Sequence, residues 1–175
     1  TETATRLKKF YSNFTNAIKL AEIEQGIPAD EWDPGNGEDE YFGMIFKHLN
    51  YFEWDNNQGR IIFADGTKLD YNCGPIFCLS FDVNGDKGPN EMGRDIFAFE
   101  LYNGFNGGAG NAAPLEKDIV FTPEYPQVCR TSNEKIECTR EQVKQECADD
   151  ISHFACTYLI MYDGWEIKGD YPLKI

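Results

Sequence analysis

Apolar residues in the first part of the chain step by threes and fours. Leu7, Phe10, Tyr11, Phe14, Ala17, Ile18 and Ala21 make one continuous stripe, while Lys8, Ser12, Asn13, Thr15, Asn16, Lys19 and Glu22 face away. This period predicts a helix over residues 4–25, stopped by Gly26 and Pro28. Tyr41, Phe42, Ile45, Phe46 and Leu49 predict a short second helix. The period then changes to two. Residues 60–64 and 68–71 flank Asp65-Gly66, a hairpin signal, and residues 75–81 and 95–102 add two further strands. Local turns between successive strands predict an antiparallel meander. Thr139 and Gln142 have the spacing of a capping box and open a short helix at 139–147; residues 149–161 predict another. A helix followed by a sheet and short C-terminal helices is an α+β order, and 175 residues suit a single domain, 1–175.

Two connections carry candidate chemistry. Between the last two predicted strands, Asp82-Val-Asn-Gly-Asp-Lys-Gly-Pro-Asn-Glu-Met-Gly-Arg-Asp95 sets oxygen-bearing side chains at Asp82, Asn84 and Asp86 on one side of an extended segment. Hard cations such as Ca2+ want several such oxygens, and with Asp95 these four are the candidate ligands. The stretch is not an ordinary EF-hand: Lys87 stands where the loop's glycine belongs and Gly93 where its bidentate glutamate belongs. The competing reading is a long hairpin connection, in which Asp82 and Asp86 bond their own backbone and the Asn84-Gly85 and Lys87-Gly88 pairs turn the chain. The acidic run at 27–40 is a second, weaker calcium candidate and reads first as solvated acid. The glycine-rich stretch 103–116 lacks the lysine and Ser/Thr ending of a phosphate loop and reads as a surface loop.

Charge and cysteines narrow the function classes. A net charge of −14, from 16 basic and 30 acidic residues, argues against nucleic-acid binding by the bulk surface; basic residues cluster only at Arg6, Lys8 and Lys9. Cys73, Cys78, Cys129, Cys138, Cys147 and Cys156 match neither zinc nor thioredoxin spacing, and an even count points to disulfides in an oxidising compartment. Six cysteines allow 15 connectivities; pairing of sequence neighbours is the expectation, with buried free thiols the alternative. No apolar run approaches membrane-spanning length. Only two histidines occur, His48 and His153, neither with a nucleophile at an interpretable spacing, so no enzyme is expected.

Three segments, in this order, resemble type IV pilin-like proteins and type II secretion pseudopilins: Arg6 to Ala21, Asp82 to Asn90 with Gly93 and Asp95, and Asp163-Gly-Trp-Glu-Ile-Lys-Gly-Asp-Tyr-Pro172. The resemblance implies a long N-terminal helix on an antiparallel sheet and a non-enzymatic filament subunit. It implies an apolar helix ahead of residue 1 that anchors the subunit in the bacterial inner membrane, with other pilin subunits as partners. It places the chain in the periplasm or on a cell-surface filament, and suggests Ca2+, since some relatives bind calcium in a late loop. Six cysteines exceed the pair expected of many pilins. A secreted or surface adhesion or ligand-binding module is the alternative, which exposed Trp32, Tyr41 or Phe105 would favour.

Overall fold

The structure, a computed structural model, describes residues 1–32, 38–71, 78–101, 120–129, 137–149 and 151–175. Helix α1 spans Glu2–Gln25. It starts two residues earlier than its apolar period predicts because the Thr1 hydroxyl oxygen accepts from the Ala4 N–H, and it ends where Gly26 turns left-handed (φ 74°) and donates to Glu22 O. At ~1.5 Å per residue the helix is roughly 36 Å long, enough to cross a sheet. It buries Ala4, Leu7, Phe10, Phe14, Ala17, Ile18 and Ala21, largely the predicted stripe.

Beneath α1 lies one six-stranded antiparallel sheet in sequence order: β1 Tyr51–Asp55, β2 Arg60–Phe63, β3 Lys68–Asp70, β4 Cys78–Asp82, β5 Ile96–Leu101 and β6 Phe121–Pro123. The meander matches expectation, but two strands exceed it. Strand β1 hides from the period because its register slips between Tyr51 and Glu53 and Phe52 points to solvent. Strand β6 is only three residues long. The core is aromatic and centres on Phe10, which stacks on Phe81 with ring centroids 4.0 Å apart and meets Phe99 edge-on at 5.2 Å. Helix α2, Glu38–Phe46, closes the far end of α1.

A smaller second core gathers Tyr125, Cys129, Cys138, Val143, Cys147, Ala155, Cys156 and Leu159 between α3 (Arg140–Asp149) and α4 (Ala155–Tyr162). Disulfides Cys129–Cys138 and Cys147–Cys156 bridge Cα atoms 5.6 Å and 4.6 Å apart. The second bridge explains why the predicted helix 149–161 begins only at Ala155. Nine residues of continuous helix would separate those Cα atoms by roughly 13.5 Å, so the chain doubles back through residues 151–154, with His153 at φ 53°. Cys73, the Cys78 side chain and the glycine-rich stretch 103–116 lie outside the described residues.

Candidate functional site

The 82–95 loop leaves the end of β4 and returns into β5 beside the first turns of α1, where an Arg6 guanidinium N–H donates to Val83 O. Asp82 starts an Asx turn: its Oδ1 accepts from the Asn84 and Gly85 N–H groups at 3.0 and 2.8 Å. Asp95 closes the loop. Only 3% exposed, it accepts from Asn90 N–H (2.7 Å) and Asn84 Nδ2 (3.2 Å) at Oδ2 and from Glu91 N–H (2.7 Å) at Oδ1. These donors compensate the burial of its carboxyl group. Gly85 permits the packing: at φ +66° it lies so close to the β2–β3 turn that a Cβ would stand 2.2 Å from Gly66 O.

Three of the four candidate ligands therefore converge: Asp82, Asn84 and Asp95. Asp86 does not join them; it faces solvent and pairs with Lys68. What remains open toward a cation is Asn84 Oδ1, a buried acceptor with no hydrogen-bond partner, beside the Asp82 carboxylate that already accepts two backbone N–H bonds at Oδ1. Burial, followed by the Asp95 charge, pushes the Asp82 carboxyl above the ordinary carboxylate range, while its two backbone N–H bonds pull the other way. Among the described residues, no group of three or more His, Cys, Asp or Glu side chains is arranged to hold a metal. The loop thus combines both readings: a hydrogen-bonded hairpin connection that still presents one unpartnered hard oxygen beside a carboxylate.

The C-terminal motif folds back onto this loop. The Tyr171 hydroxyl donates to Gly93 O at 2.6 Å. Upstream, Arg140 spans two carboxylates: Nε and Nη2 donate to Asp163 at 2.6 and 2.7 Å, and Nη1 and Nη2 to Asp170 at 2.9 and 2.8 Å. Lys168 reaches Asp163 at 2.8 Å and Lys144 reaches Asp170 at 3.1 Å. Bonding to Arg140 holds Asp163 below its usual range and Asp170 further below. Sequence reasoning missed Arg140, because nothing local marks a helix residue that pairs 23 and 30 positions away.

The two flanks of α1 differ. On one, Tyr11 is covered by Phe121 of β6 and by Trp165, with centroids at 5.5 and 5.0 Å. On the other, between α1 and the β2–β3 hairpin, a groove of about 410 Å³ opens over Phe10, Ala17, Leu20, Leu49, Phe63 and Phe81, rimmed by Arg6, Lys9, Asn13 and Asn16. His48 at its far end pairs with Glu24 at 3.0 Å, and His153 Nδ1 bonds Cys147 O at 2.7 Å. Trp32 and Tyr41 are 2% and 1% exposed, their rings packed at 5.5 Å; Phe105 lies outside the described residues.

Among the described residues, no helix is long and apolar enough to cross a membrane. No curated protein matches the chain, and no solved structure matches it. One protein-family pattern does, over residues 1–175: the chain belongs to DUF6613, a family of unknown function.

Proposed function

We propose that this chain is the globular head of a non-enzymatic filament subunit of the type IV pilus or type II pseudopilus kind. The observation that carries the reading is the seating of α1 lengthwise on an antiparallel meander, helix first and sheet after. The return of the Asp163–Pro172 motif onto the 82–95 loop supports it, since two of the three resembling segments are then one structural unit. In this reading the partners are other pilin subunits, and an apolar helix ahead of α1 holds the subunit at the bacterial inner membrane before assembly. Two disulfides fit an extracytoplasmic setting, periplasm or cell surface.

Calcium is the cofactor of this reading. Asn84 suits a hard cation because its Oδ1 is buried without a hydrogen bond, and the Asp82 and Asp95 carboxylates add negative charge beside it. Asp86 has no part in it, being turned toward Lys68. For the alternative, an adhesion module, Trp32 and Tyr41 offer no ligand face because they are core residues, and Phe105 lies outside the described residues.

Immunogold labelling of producing cells with an antibody to residues 1–175 tests the filament reading. Label along fibres is the expected result. Diffuse label, with no fibre decorated, would sink it.

A further inference from the structure

The turn between α3 and α4 carries the most exposed large apolar side chain among the described residues: Ile151 is 96% exposed, and Phe154 beside it is 37% exposed. Apolar groups so far into solvent are ordinary on a flexible segment, but this turn is clamped. Cys147–Cys156 ties its two ends, and His153 Nδ1 bonds Cys147 O at 2.7 Å across it. Residues 151–154 thus form a knob tied back through Cys156 and His153 to Cys147, and Asp149, the last residue of α3, is exposed. A rigid apolar projection gains more on burial than a mobile one because less ordering entropy is lost.

The α1 groove is the matching recess. Its floor is apolar, its volume of about 410 Å³ falls in the range of pockets that enclose ligands, and its rim carries Arg6 and Lys9. Lys9 keeps 67% of its side chain exposed, and its one ion pair among the described residues, to Asp65, is at 3.8 Å. Asp65 also lines the groove and Arg6 pairs with Glu2, so the exposed Lys9 ammonium is the rim charge that an incoming carboxylate would meet. Asp149 at the base of the knob supplies such a carboxylate.

Knob and groove cannot meet within one molecule. The groove opens toward β2 and β3, whereas α4 packs on β5 and β6, on the flank that Tyr11 and Trp165 seal. We propose that the Ile151–Phe154 knob of one copy seats in the α1 groove of the next, with Asp149 facing Lys9. Because the two surfaces differ, the contact is heterologous and repeats head to tail without self-limitation unless the rotation closes a ring. The proposal rests on the filament reading for its occupant, a second copy.

Mixing two complementary variants tests it by sedimentation velocity. Ile151→Asp removes the knob and keeps the groove; Asn13→Trp fills the groove and keeps the knob. Both sites are solvent-exposed, and unchanged circular dichroism and melting verify folding. The wild type is expected to give an open series of oligomers at millimolar concentration. Each variant alone should weaken association by roughly tenfold or more, the loss typical of a buried central anchor. An equimolar mixture should recover one contact and stop at dimers. A wild type that stays monomeric, or a mixture that does, overturns the contact. So does association lost with Asn13→Trp but kept with Ile151→Asp, which would mean symmetric pairing through the groove. Any of these failures with fibres labelled as above leaves the filament reading standing; unlabelled fibres with intact pairing would remove that reading alone.

Discussion

The Tyr171 hydroxyl donates to Gly93 O across 78 residues of sequence, at 2.6 Å. This bond helps fasten the C-terminal tail to the mid-chain loop, beside Leu173, and it does so from a partly buried phenol. Tyr171→Phe removes the donor and leaves a buried carbonyl short of a partner, at a cost of about 1 kcal/mol, which lowers Tm by about 2–4 °C. Burial also raises the Tyr171 pKa above its ordinary value. Its contribution is therefore complete below the unfolded-state value of about 10 and declines as pH rises further, because the unfolded chain releases the proton first. Urea melts should show a wild-type stability that falls between about pH 9 and 11, with a shallower fall in Tyr171→Phe. Parallel slopes for the two proteins would refute the assignment.

Arg140 clamps the other end of the same tail. It meets Asp163, whose side chain is 4% exposed, through two N–H groups, so removing it strands a nearly buried carboxylate beside Lys168 alone. Arg140→Met is expected to cost about 2 kcal/mol, less than a fully buried pair because Arg140 itself is partly solvated. Asp163 and Asp170 are both held below the usual carboxylate range, Arg140 hydrogen bonds being the largest cause for each. Their stabilisation is present above the unfolded-state value of about 4 and is lost as pH falls through the lowered folded values. In thermal melts from about pH 7 downward, the gap between wild type and Arg140→Met should hold steady above about pH 4 and narrow progressively below it, toward the lowered folded values. A variant gap that persists unchanged at low pH would contradict this.

The Cys147–Cys156 bridge shapes the α3–α4 turn as well as stabilising it. Its sulfurs lie in the second core, and a Cβ on Gly93 would come within 3.0 Å of Cys156 Sγ, so the bridge also backs the 82–95 loop. Closing so short a loop contributes about 2.5–3 kcal/mol in the chain-entropy account. Cys147→Ala/Cys156→Ala should lower stability by about that amount. It should also raise amide exchange at residues 151–154 more than in the sheet. Uniform loss across the domain, with no excess at the turn, would mean that the bridge does not set the turn's shape.

How much could be read in advance depended on the range of the interactions. The α1 stripe and the β2 to β5 meander were legible because each follows from local period and a nearby turn, from Leu7 to Ala21 and from Asp65-Gly66 onward. The convergence of Asp82, Asn84 and Asp95 was legible too, being set by spacing within one loop. Asp86 was not: only the tertiary position of Lys68 on β3 draws it outward. The Cys129–Cys138 and Cys147–Cys156 bridges follow the expected pairing of sequence neighbours, but the apolar period of 149–161 does not register how the second bridge folds the chain back before α4. Arg140 and Tyr171 act over 23 to 78 positions, and no local pattern encodes such a partner.

Calcium binding by the 82–95 loop separates the two readings of that loop, because the hairpin stands without metal whereas the cation reading needs Asp82 and Asn84 to complete a shell. With few protein oxygens and one of the four candidate side chains turned away, affinity should fall in the weak range, about 10⁻⁴–10⁻³ M. At a tenfold excess over that constant, calcium should stabilise the fold by about 1.4 kcal/mol and raise Tm by about 3–5 °C. Asp82→Asn keeps the side chain's shape and its acceptor for the Asn84 and Gly85 N–H groups, yet removes the charge a cation needs. It is expected to abolish the calorimetric signal. Asp86→Asn should bind like the wild type, since its carboxylate serves Lys68. Magnesium should compete poorly, because it demands tighter octahedral geometry than an Asx turn and one amide oxygen supply. Absence of heat and of any melting shift would reduce the loop to its hydrogen bonds; loss of binding in Asp86→Asn would require that side chain to swing off Lys68 and into the shell.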